Sequence, residues 1–204
     1  MNSFNHIGVI ILAAGGSSRL GRPKQLVKFE GKSLLQRIIN EANQIQFGFR
    51  LVVLGWNQDS ISSSLDLNGF EKLINENWQG GIGTSIKAGT THALKMAPGL
   101  KHLLFLLSDQ PLVTGTIIRL LCDSHLENRV GVTACRYGGN IGVPAIFPKG
   151  YFSSLTSLNG DQGAKKIILN NQKDTQFIEF PDGAFDIDTP EDLKKLLSLN
   201  KTLK

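Results

Sequence analysis

A glycine-rich turn, followed by three cationic side chains, comes directly after an apolar run at residues 7–12. Small residues in a turn let backbone N–H groups approach an anion, and nearby cations neutralise its charge. The cations are Arg19, Arg22 and Lys24. The turn residues expected to contact the nucleotide are Leu12, Ala13, Ala14, Gly15 and Gly16. This pattern predicts a site for a phosphorylated nucleotide.

Two common nucleotide-binding loops do not match this turn. A P-loop requires G-x-x-x-x-G-K-[ST], but Gly16 and Gly21, which have the right spacing, are followed by Arg22 and Pro23. A dinucleotide fingerprint requires G-x-G-x-x-G at the start of a helix, and the glycines here occur in another order. The turn therefore indicates neither a P-loop ATPase nor a dehydrogenase.

Two aspartates are candidate metal ligands. Asp109 follows the apolar run 103–107, and Pro111 prevents that strand from continuing. Asp188 lies just before a helix cap, and strand alternation would place Asp186 on the same side as a substitute ligand. One or two carboxylates, together with phosphate oxygens and waters, commonly hold Mg²⁺. The alternatives are a turn aspartate at residue 109 and a cap-supporting aspartate before the last helix.

A third motif, at residues 75–85, contains three glycines shortly before a helix. Glycines allow the backbone to approach a base or ribose closely, and a serine at the helix start can bond to ligand. The expected nucleotide contacts are Asn77, Gly80, Gly81 and Ser85, in addition to Asp109. Trp78 in this motif is more typical of a packing anchor than of a base-stacking partner.

Together these motifs resemble the MobA-like NTP transferases over residues 7 to about 192, most closely the cytidylyltransferases of the molybdenum-cofactor type. More distantly, they resemble molybdopterin guanylyltransferases and sugar-nucleotide pyrophosphorylases. The resemblance implies Mg²⁺ held by Asp109 and Asp188. It also implies that Arg19 and Lys24 balance the charge of departing pyrophosphate, so that these four side chains form the catalytic group.

The resemblance further implies a phosphorylated acceptor such as molybdopterin, bound by residues from segments 140–147 and 159–166. The matching positions are Gly142, Pro144, Asp161, Gly163 and Lys165. Val143 stands where the family's cytidylyltransferases often carry histidine. A glycine turn with solvent-exposed Lys165 and Lys166 is the structural alternative.

The resemblance implies a nucleoside triphosphate donor, which is CTP, GTP or ATP, with transfer of CMP favoured. A sugar-phosphate pyrophosphorylase and a non-catalytic nucleotide- or cofactor-binding partner of a molybdoenzyme are the alternative functions. A molybdoenzyme or accessory protein is a further expected partner.

Alternating strand and helix patterns predict a single α/β domain over residues 1–204, built on one doubly wound, mostly parallel sheet. The family resemblance adds a Rossmann-like nucleotidyltransferase architecture of the GT-A-like kind. The expected strands cover residues 7–14, 50–54, 103–107 and 130–135. The expected helices cover residues 34–44, 84–96 and 114–126, with a last one capped at Thr189 and beginning at Pro190.

Composition narrows the class of partner. The net charge of +5 is dispersed and aromatic residues make up 7%, which favours small polyanions over nucleic acid. Cys122 and Cys135 show neither disulfide nor zinc spacing, and the first apolar stretch is too short to span a membrane. The four histidines form no Ser-His-Asp pattern. We therefore expect a cytoplasmic enzyme that binds neither nucleic acid nor membrane.

Overall fold

A central sheet of seven strands with helices on both faces forms the protein in a computed structural model, which describes residues 4–17, 19–128 and 131–202. Val130, in the expected fourth strand, lies outside the described residues. The strands are β1 (Phe4–Ala13), β2 (Lys28–Phe29), β3 (Lys32–Ser33), β4 (Phe47–Leu54), β5 (Glu71–Ile74), β6 (His102–Leu107), β7 (Val132–Tyr137), β8 (Asn140–Pro148) and β9 (Thr175–Glu179). The helices are α1 (Leu34–Asn43), α2 (Gln58–Ser63), α3 (Ile82–Met96), α4 (Gly115–Asn128), α5 (Phe152–Thr156), α6 (Ala164–Asn170) and α7 (Pro190–Thr202).

The strand order of the central sheet is β5-β4-β1-β6-β8-β7-β9, while β2 and β3 form a separate antiparallel pair. All pairings of the large sheet are parallel except those of β8, which runs antiparallel to β6 and β7. This architecture confirms the predicted doubly wound, mostly parallel α/β fold.

The core has one layer on each face of the sheet because β1 alternates its side chains between them. Val9 and Ile11 pack in the layer that α1 and α4 cover. Ile10 and Leu12 pack in the opposite layer, against α3, α5 and α6. Continuous burial on both faces explains why the strand reads as an unbroken apolar run.

β1 is also the point where the strand order reverses. The chain passes from β1 to β4 on one side, and later places β6 on the other side of β1. A crevice opens at such a switch point, beyond the carboxyl ends of the strands, and it is where ligands bind in open α/β sheets. The glycine-rich turn after β1 and the Ser-Asp-Gln-Pro segment after β6 both lie there.

Local capping fixes two of the expected helices. The Ser33 hydroxyl accepts a hydrogen bond from the Gln36 N–H (3.2 Å) at the start of α1. At the start of α7, Asp192 accepts from the Thr189 N–H (3.0 Å) and hydroxyl (2.7 Å), and the Asp192 N–H donates back to the hydroxyl (3.2 Å). These bonds satisfy donors that a helix start leaves unpaired.

A pair of histidines lies at the other end of the sheet from the glycine-rich turn. His102 begins β6, and its Nδ1 is 2.9 Å from Nε2 of the buried His125 on α4. Nδ1 of His125 is 2.9 Å from the Thr133 hydroxyl. Burial, followed by the neighbouring His102, lowers the pKa of His125 to about 4. Burial also lowers the pKa of His102.

Within the described part of the chain, no helix is both long enough and apolar enough to cross a membrane.

Candidate nucleotide and metal site

Lys24 joins the two candidate metal ligands directly. Its ammonium pairs with Asp109 Oδ2 and lies 2.9 Å from Asp188 Oδ1. Arg19 extends the cluster, because its Nη2 lies 3.0 Å from Asp188 Oδ2. The structure thus brings together all four side chains of the expected catalytic group, although they come from three distant parts of the sequence.

Burial and the neighbouring carboxylates shift the pKa of Lys24 in opposite directions. Burial of the ammonium would lower its pKa, but the ion pairs with Asp109 and Asp188 outweigh that effect and hold the pKa above its ordinary value. For Asp186, next to the cluster, the same environment favours the neutral form. Burial, then the negative charges of Asp109 and Asp188, raise its pKa. Lys24 is therefore charged at neutral pH.

An apolar anchor places Asp188 beside Asp109. Ile187 is fully buried in a cluster with Phe29 and Leu196, and its N–H donates to the Asp109 carbonyl oxygen at 3.0 Å. Residues 185–188 form no strand, so the expectation that strand alternation positions Asp186 and Asp188 is wrong. The buried side chain between the two aspartates orients them instead.

The oxygen atoms of the aspartates fit a divalent metal. Asp109 Oδ1 is buried and has no hydrogen-bond partner among the described residues, so one oxygen is available as a ligand. A cationic group already bridges Asp109 and Asp188, which places both carboxylates within reach of one ion. Within the described ranges no cluster of three or more His, Cys, Asp or Glu residues could hold a metal alone. Substrate phosphates and waters would complete such a site, as is usual for Mg²⁺.

Gln25 fixes the backbone of the glycine-rich turn through hydrogen bonds, a role that the sequence analysis missed. The side chain is fully buried, and its Nε2 donates to the carbonyl oxygens of Ala13 (2.8 Å) and Gly15 (3.1 Å). The preceding residue is held as well, since the Lys24 N–H donates to the Ser17 hydroxyl at 3.0 Å. The turn is therefore fixed while the Lys24 side chain extends over it.

A cleft of about 480 Å³ opens above this turn. Gly15 has open space where a side chain would begin, so its backbone is accessible. A Cβ on Gly16 would lie 2.9 Å from the Trp78 ring, which packs against the turn. Among the expected nucleotide contacts, the cleft is lined by Leu12, Ala13, Ala14, Gly15, Gly16, Lys24, Gly81, Ser85 and Asp109.

Asn77 and Gly80 do not line this cleft; both are exposed in the turn before α3. The buried Asn75 organises that turn, because its Nδ2 donates to the Ser85 hydroxyl and its Oδ1 accepts from the Asn77 N–H. Gly81 has φ +90°, and a Cβ there would lie 2.4 Å from the Gly160 carbonyl. Only glycine fits at that close approach.

A second pocket of about 290 Å³ adjoins the first and shares Leu12, Ile82 and Leu107 with it. Its walls are mainly apolar, and Lys165 and Asn140 add polar groups, the ammonium lying 3.2 Å from the Asn140 Oδ1. Of the expected acceptor contacts, those lining this pocket are Gly142, Gly163 and Lys165.

The other two expected acceptor contacts lie elsewhere. Pro144 is buried in β8 behind the pocket. Asp161 lines the first cleft, because the Gly83 N–H donates to the Gly160 carbonyl (2.9 Å) and so holds this loop at the start of α3.

Gln110 links the two halves of the site and is a second residue that the sequence analysis missed. Its buried side chain donates to the carbonyl oxygens of Val143 (3.2 Å) in β8 and Gly183 (3.1 Å) in the turn before Asp186. The Tyr137 hydroxyl donates to the same Val143 carbonyl at 3.2 Å. The segment that carries Asp109 is thereby tied to the pocket expected to bind the acceptor.

The family match assigns the protein to the nucleotidyltransferases. The model of the MobA-like NTP transferase domain matches residues 9–175, and the chain belongs to that family.

Three relatives are between 25% and 27% identical to this chain over the aligned residues. The chain is 27% identical to nicotine blue oxidoreductase of Paenarthrobacter nicotinovorans, over 92% of this chain and 95% of that protein. It is 26% identical to the molybdenum cofactor guanylyltransferase of Rhizobium meliloti (strain 1021), over 91% and 88%. The crystal structure of Rv0371C from Mycobacterium tuberculosis H37Rv, in complex with manganese, superposes with a TM-score of 0.78 at 25% identity. That match covers 95% of this chain and 98% of the other.

Proposed function

We propose that the protein is a Mg²⁺-dependent enzyme that transfers a nucleoside monophosphate, CMP in preference, from a nucleoside triphosphate to a phosphorylated acceptor. The acceptor we favour is molybdopterin or the molybdenum cofactor, and pyrophosphate is the second product. The observation that carries this proposal is the cluster of Asp109, Asp188, Lys24 and Arg19 beside an accessible glycine-rich turn.

The reaction is an in-line displacement at the α-phosphorus. An oxygen of the acceptor phosphate forms the new bond, and the bond from the α-phosphorus to the bridging oxygen breaks, so pyrophosphate leaves with that electron pair. The attacking phosphate is already anionic, so no protein base is required. Positioning and charge neutralisation then supply the catalysis.

Each group of the cluster has a distinct task in this scheme. Gly15 and Gly16 admit the phosphates to the backbone of the turn, and Asp109 and Asp188 hold the metal. Bound Mg²⁺ would neutralise charge on the triphosphate and polarise its oxygens. Lys24 and Arg19 stabilise the charge that develops on the departing pyrophosphate.

The donor nucleoside lies along the start of α3. Gly81 and Ser85 line the cleft there, while Asn77 and Gly80 act through the turn that holds them. A preference for CTP rests on the closer resemblance to cytidylyltransferases, and the relative that is a molybdenum cofactor guanylyltransferase supports the acceptor.

The acceptor lies in the second pocket, with its phosphate directed toward the first cleft. Lys165 and the N–H groups near Gly163 are available to an anion, whereas Gly142 and the apolar walls fit a ring system. Asp161 stands at the junction of the two cavities, and Pro144 supports the pocket from behind.

Pyrophosphate release tests this function. The purified protein is incubated with Mg²⁺, an acceptor, and CTP, GTP or ATP in turn. Release with molybdopterin but not with sugar phosphates supports the proposal, and the reverse result identifies a sugar-phosphate pyrophosphorylase. Nucleotide binding without release identifies a non-catalytic binding protein. Redox turnover of nicotine blue, without pyrophosphate release, would assign the activity named for the relative nicotine blue oxidoreductase.

The proposal also covers the domain organisation, the protein partner and the cellular compartment. We infer one functional domain, a molybdoenzyme or accessory protein as recipient of the product, and the cytoplasm as compartment. The buried, unpaired thiols of Cys122 and Cys135 are consistent with a reducing environment.

A further inference from the structure

We propose that Lys24 is an internal counter-ion that keeps the divalent metal away from Asp109 and Asp188 until a nucleoside triphosphate binds. This inference rests on the proposed function, because it takes the two aspartates as the metal ligands. It adds an order to the binding steps, in which the metal is retained only with the nucleotide.

The Lys24 ammonium occupies the position between the two carboxylates that a shared metal ion would take. The Lys24 ammonium contacts Asp109 Oδ2 and lies 2.9 Å from Asp188 Oδ1, the two carboxylates that a shared metal ion would use. The side chains of Lys24 and Asp109 are only 15% and 14% exposed, so water screens their contact weakly. Two cations cannot share this space, because they would repel each other at short range. A metal therefore has to displace the ammonium.

The charges of the cluster are balanced before any substrate arrives. Asp109 and Asp188 carry two negative charges, and Lys24 and Arg19 carry two positive charges in contact with them. A metal that entered alone would deprive the largely buried ammonium of both anionic partners, which is costly. A triphosphate removes this cost, because its oxygens provide new partners for both cations.

Only a side chain has to move between the two states. The Lys24 N–H is fixed to the Ser17 hydroxyl, and Gln25 fixes the carbonyl oxygens of the glycine-rich turn. The lysine side chain is long and flexible, and it already lines the cleft above the turn. Its ammonium can pass from the carboxylates to the phosphates while the turn keeps its shape. By linkage, metal and nucleotide must then strengthen each other's binding.

Titration with Mn²⁺ in the absence of nucleotide tests the counter-ion role. The probe is Mn²⁺ alone, followed by electron paramagnetic resonance or calorimetry. Lys24→Met removes the charge and keeps an unbranched side chain, so we expect it to bind Mn²⁺ at least about tenfold more tightly than the unaltered protein. Lys24→Arg keeps the charge and should bind Mn²⁺ as weakly as the unaltered protein.

Two controls locate the effect. Lys28→Met removes an exposed lysine four residues further along the chain and should leave Mn²⁺ affinity unchanged. Adding Asp109→Asn to Lys24→Met should abolish the gain, which shows that the extra Mn²⁺ is bound at this pair of aspartates. Thermal unfolding of each variant establishes that it is folded under the titration conditions.

Equal or weaker Mn²⁺ binding by folded Lys24→Met would overturn the proposal, as would equal tightening in Lys24→Arg or Lys28→Met. The titration needs neither acceptor nor turnover. A protein that releases no pyrophosphate would contradict the proposed function but leave this result intact. An active enzyme whose Mn²⁺ affinity does not respond to Lys24→Met would contradict the counter-ion role alone.

Discussion

Asp109 is central to the proposed metal site, because one of its oxygens pairs with Lys24 and the other is buried with no hydrogen-bond partner in the part of the chain that the structure describes. Removing its charge should disable metal binding with little change in volume. We expect Asp109→Asn and Asp188→Asn each to lower the rate of pyrophosphate release by roughly a hundred-fold to a thousand-fold. Initial rates with saturating Mg²⁺ measure the loss.

Asp59→Asn, in an exposed turn of α2, is the matched control and should keep full activity. Unfolding temperatures within a few degrees of the unaltered protein would show that the fold is intact. If both active-site variants retain normal rates, the assignment of the two carboxylates is wrong. Undiminished release in EDTA would lead to the same conclusion.

Lys24 should matter more for the donor than for the acceptor. Its charge is needed where pyrophosphate leaves, so Lys24→Ala should lower kcat/KM for the triphosphate while the acceptor affinity changes little. Steady-state kinetics with each substrate varied in turn separate the two effects. An unchanged kcat/KM for the nucleotide would make Lys24 a purely structural lysine.

Residue types with a chemical signature were predictable, and residues that act through geometry were not. Lys24, Asp109 and Asp188 carry charge and lie in recognisable motifs, so their sequence context was enough to propose them. Gln25 and Gln110 are neutral amides whose importance depends on carbonyl groups far away in the chain. Gln110 bonds to Val143 and Gly183, a contact that exists only once three segments are folded together.

At the scale of elements, the four clearest strands and the longer helices follow from apolar periodicity, whereas β5, β8 and β9 did not stand out. β8 begins with a polar residue and contains Gly142 and Pro144, which weaken a strand pattern. The two-residue turn Gly138-Gly139, with both glycines at positive φ, makes β8 antiparallel to β7, and this local hairpin signal was not used in the sequence analysis. The pairing of β8 with β6 is long-range, so the position of the second pocket between these segments could not be predicted from local patterns.

Substitutions at the start of α6 and in the loop before it should alter the binding of different substrates. Lys165 lines the second pocket and Asp161 lines the first, although the two residues are close in sequence. Lys165→Ala should raise the acceptor KM by a few-fold to about thirty-fold and leave nucleotide affinity unchanged, because one exposed charge contact is lost. Kinetics with varied acceptor measure this change.

Lys166→Ala is the matched control, since Lys166 is exposed and lines neither cavity. For Asp161→Ala we expect the nucleotide KM to respond as well, because the residue borders the donor cleft. A fall in nucleotide affinity for Lys165→Ala, with the acceptor unaffected, would assign the second pocket to the donor.

For the whole molecule, the buried His125, paired with the partly exposed His102, makes stability depend on pH. The pKa of His125 is lowered to about 4, from about 6.5 in an unfolded chain, so the unfolded state takes up protons first as the pH falls. The contribution of the neutral His125 to the free energy of unfolding is complete above about pH 6.5 and is lost progressively down to about pH 4. We expect His125 to account for about 2 to 3 kcal/mol of lost unfolding free energy between pH 7 and pH 4.5.

Urea denaturation at the two pH values, on the unaltered protein and on His125→Asn, measures this contribution. We expect His125→Asn to be less stable than the unaltered protein at pH 7, but to lose less unfolding free energy when the pH is lowered. An equal loss in both proteins would mean that another group titrates.

The antiparallel direction of β8 within the central sheet has a consequence for how such an enzyme can change its specificity. Strands β5, β4, β1 and β6 form a parallel block that carries the glycine-rich turn, while β8, β7 and β9 form a second block. The second pocket lies between the two blocks, with Leu12 and Leu107 on one side and residues 140–143 of β8 on the other. The two blocks meet along the β6–β8 pairing, and the Gln110 side chain donates a hydrogen bond across it to the Val143 carbonyl oxygen of β8. Substitutions in β8 or α6 would therefore reshape the second pocket, the proposed acceptor site, without altering the glycine-rich turn or Asp109. On this proposal, we expect differences in acceptor use among relatives to arise on the β8 side of that pairing.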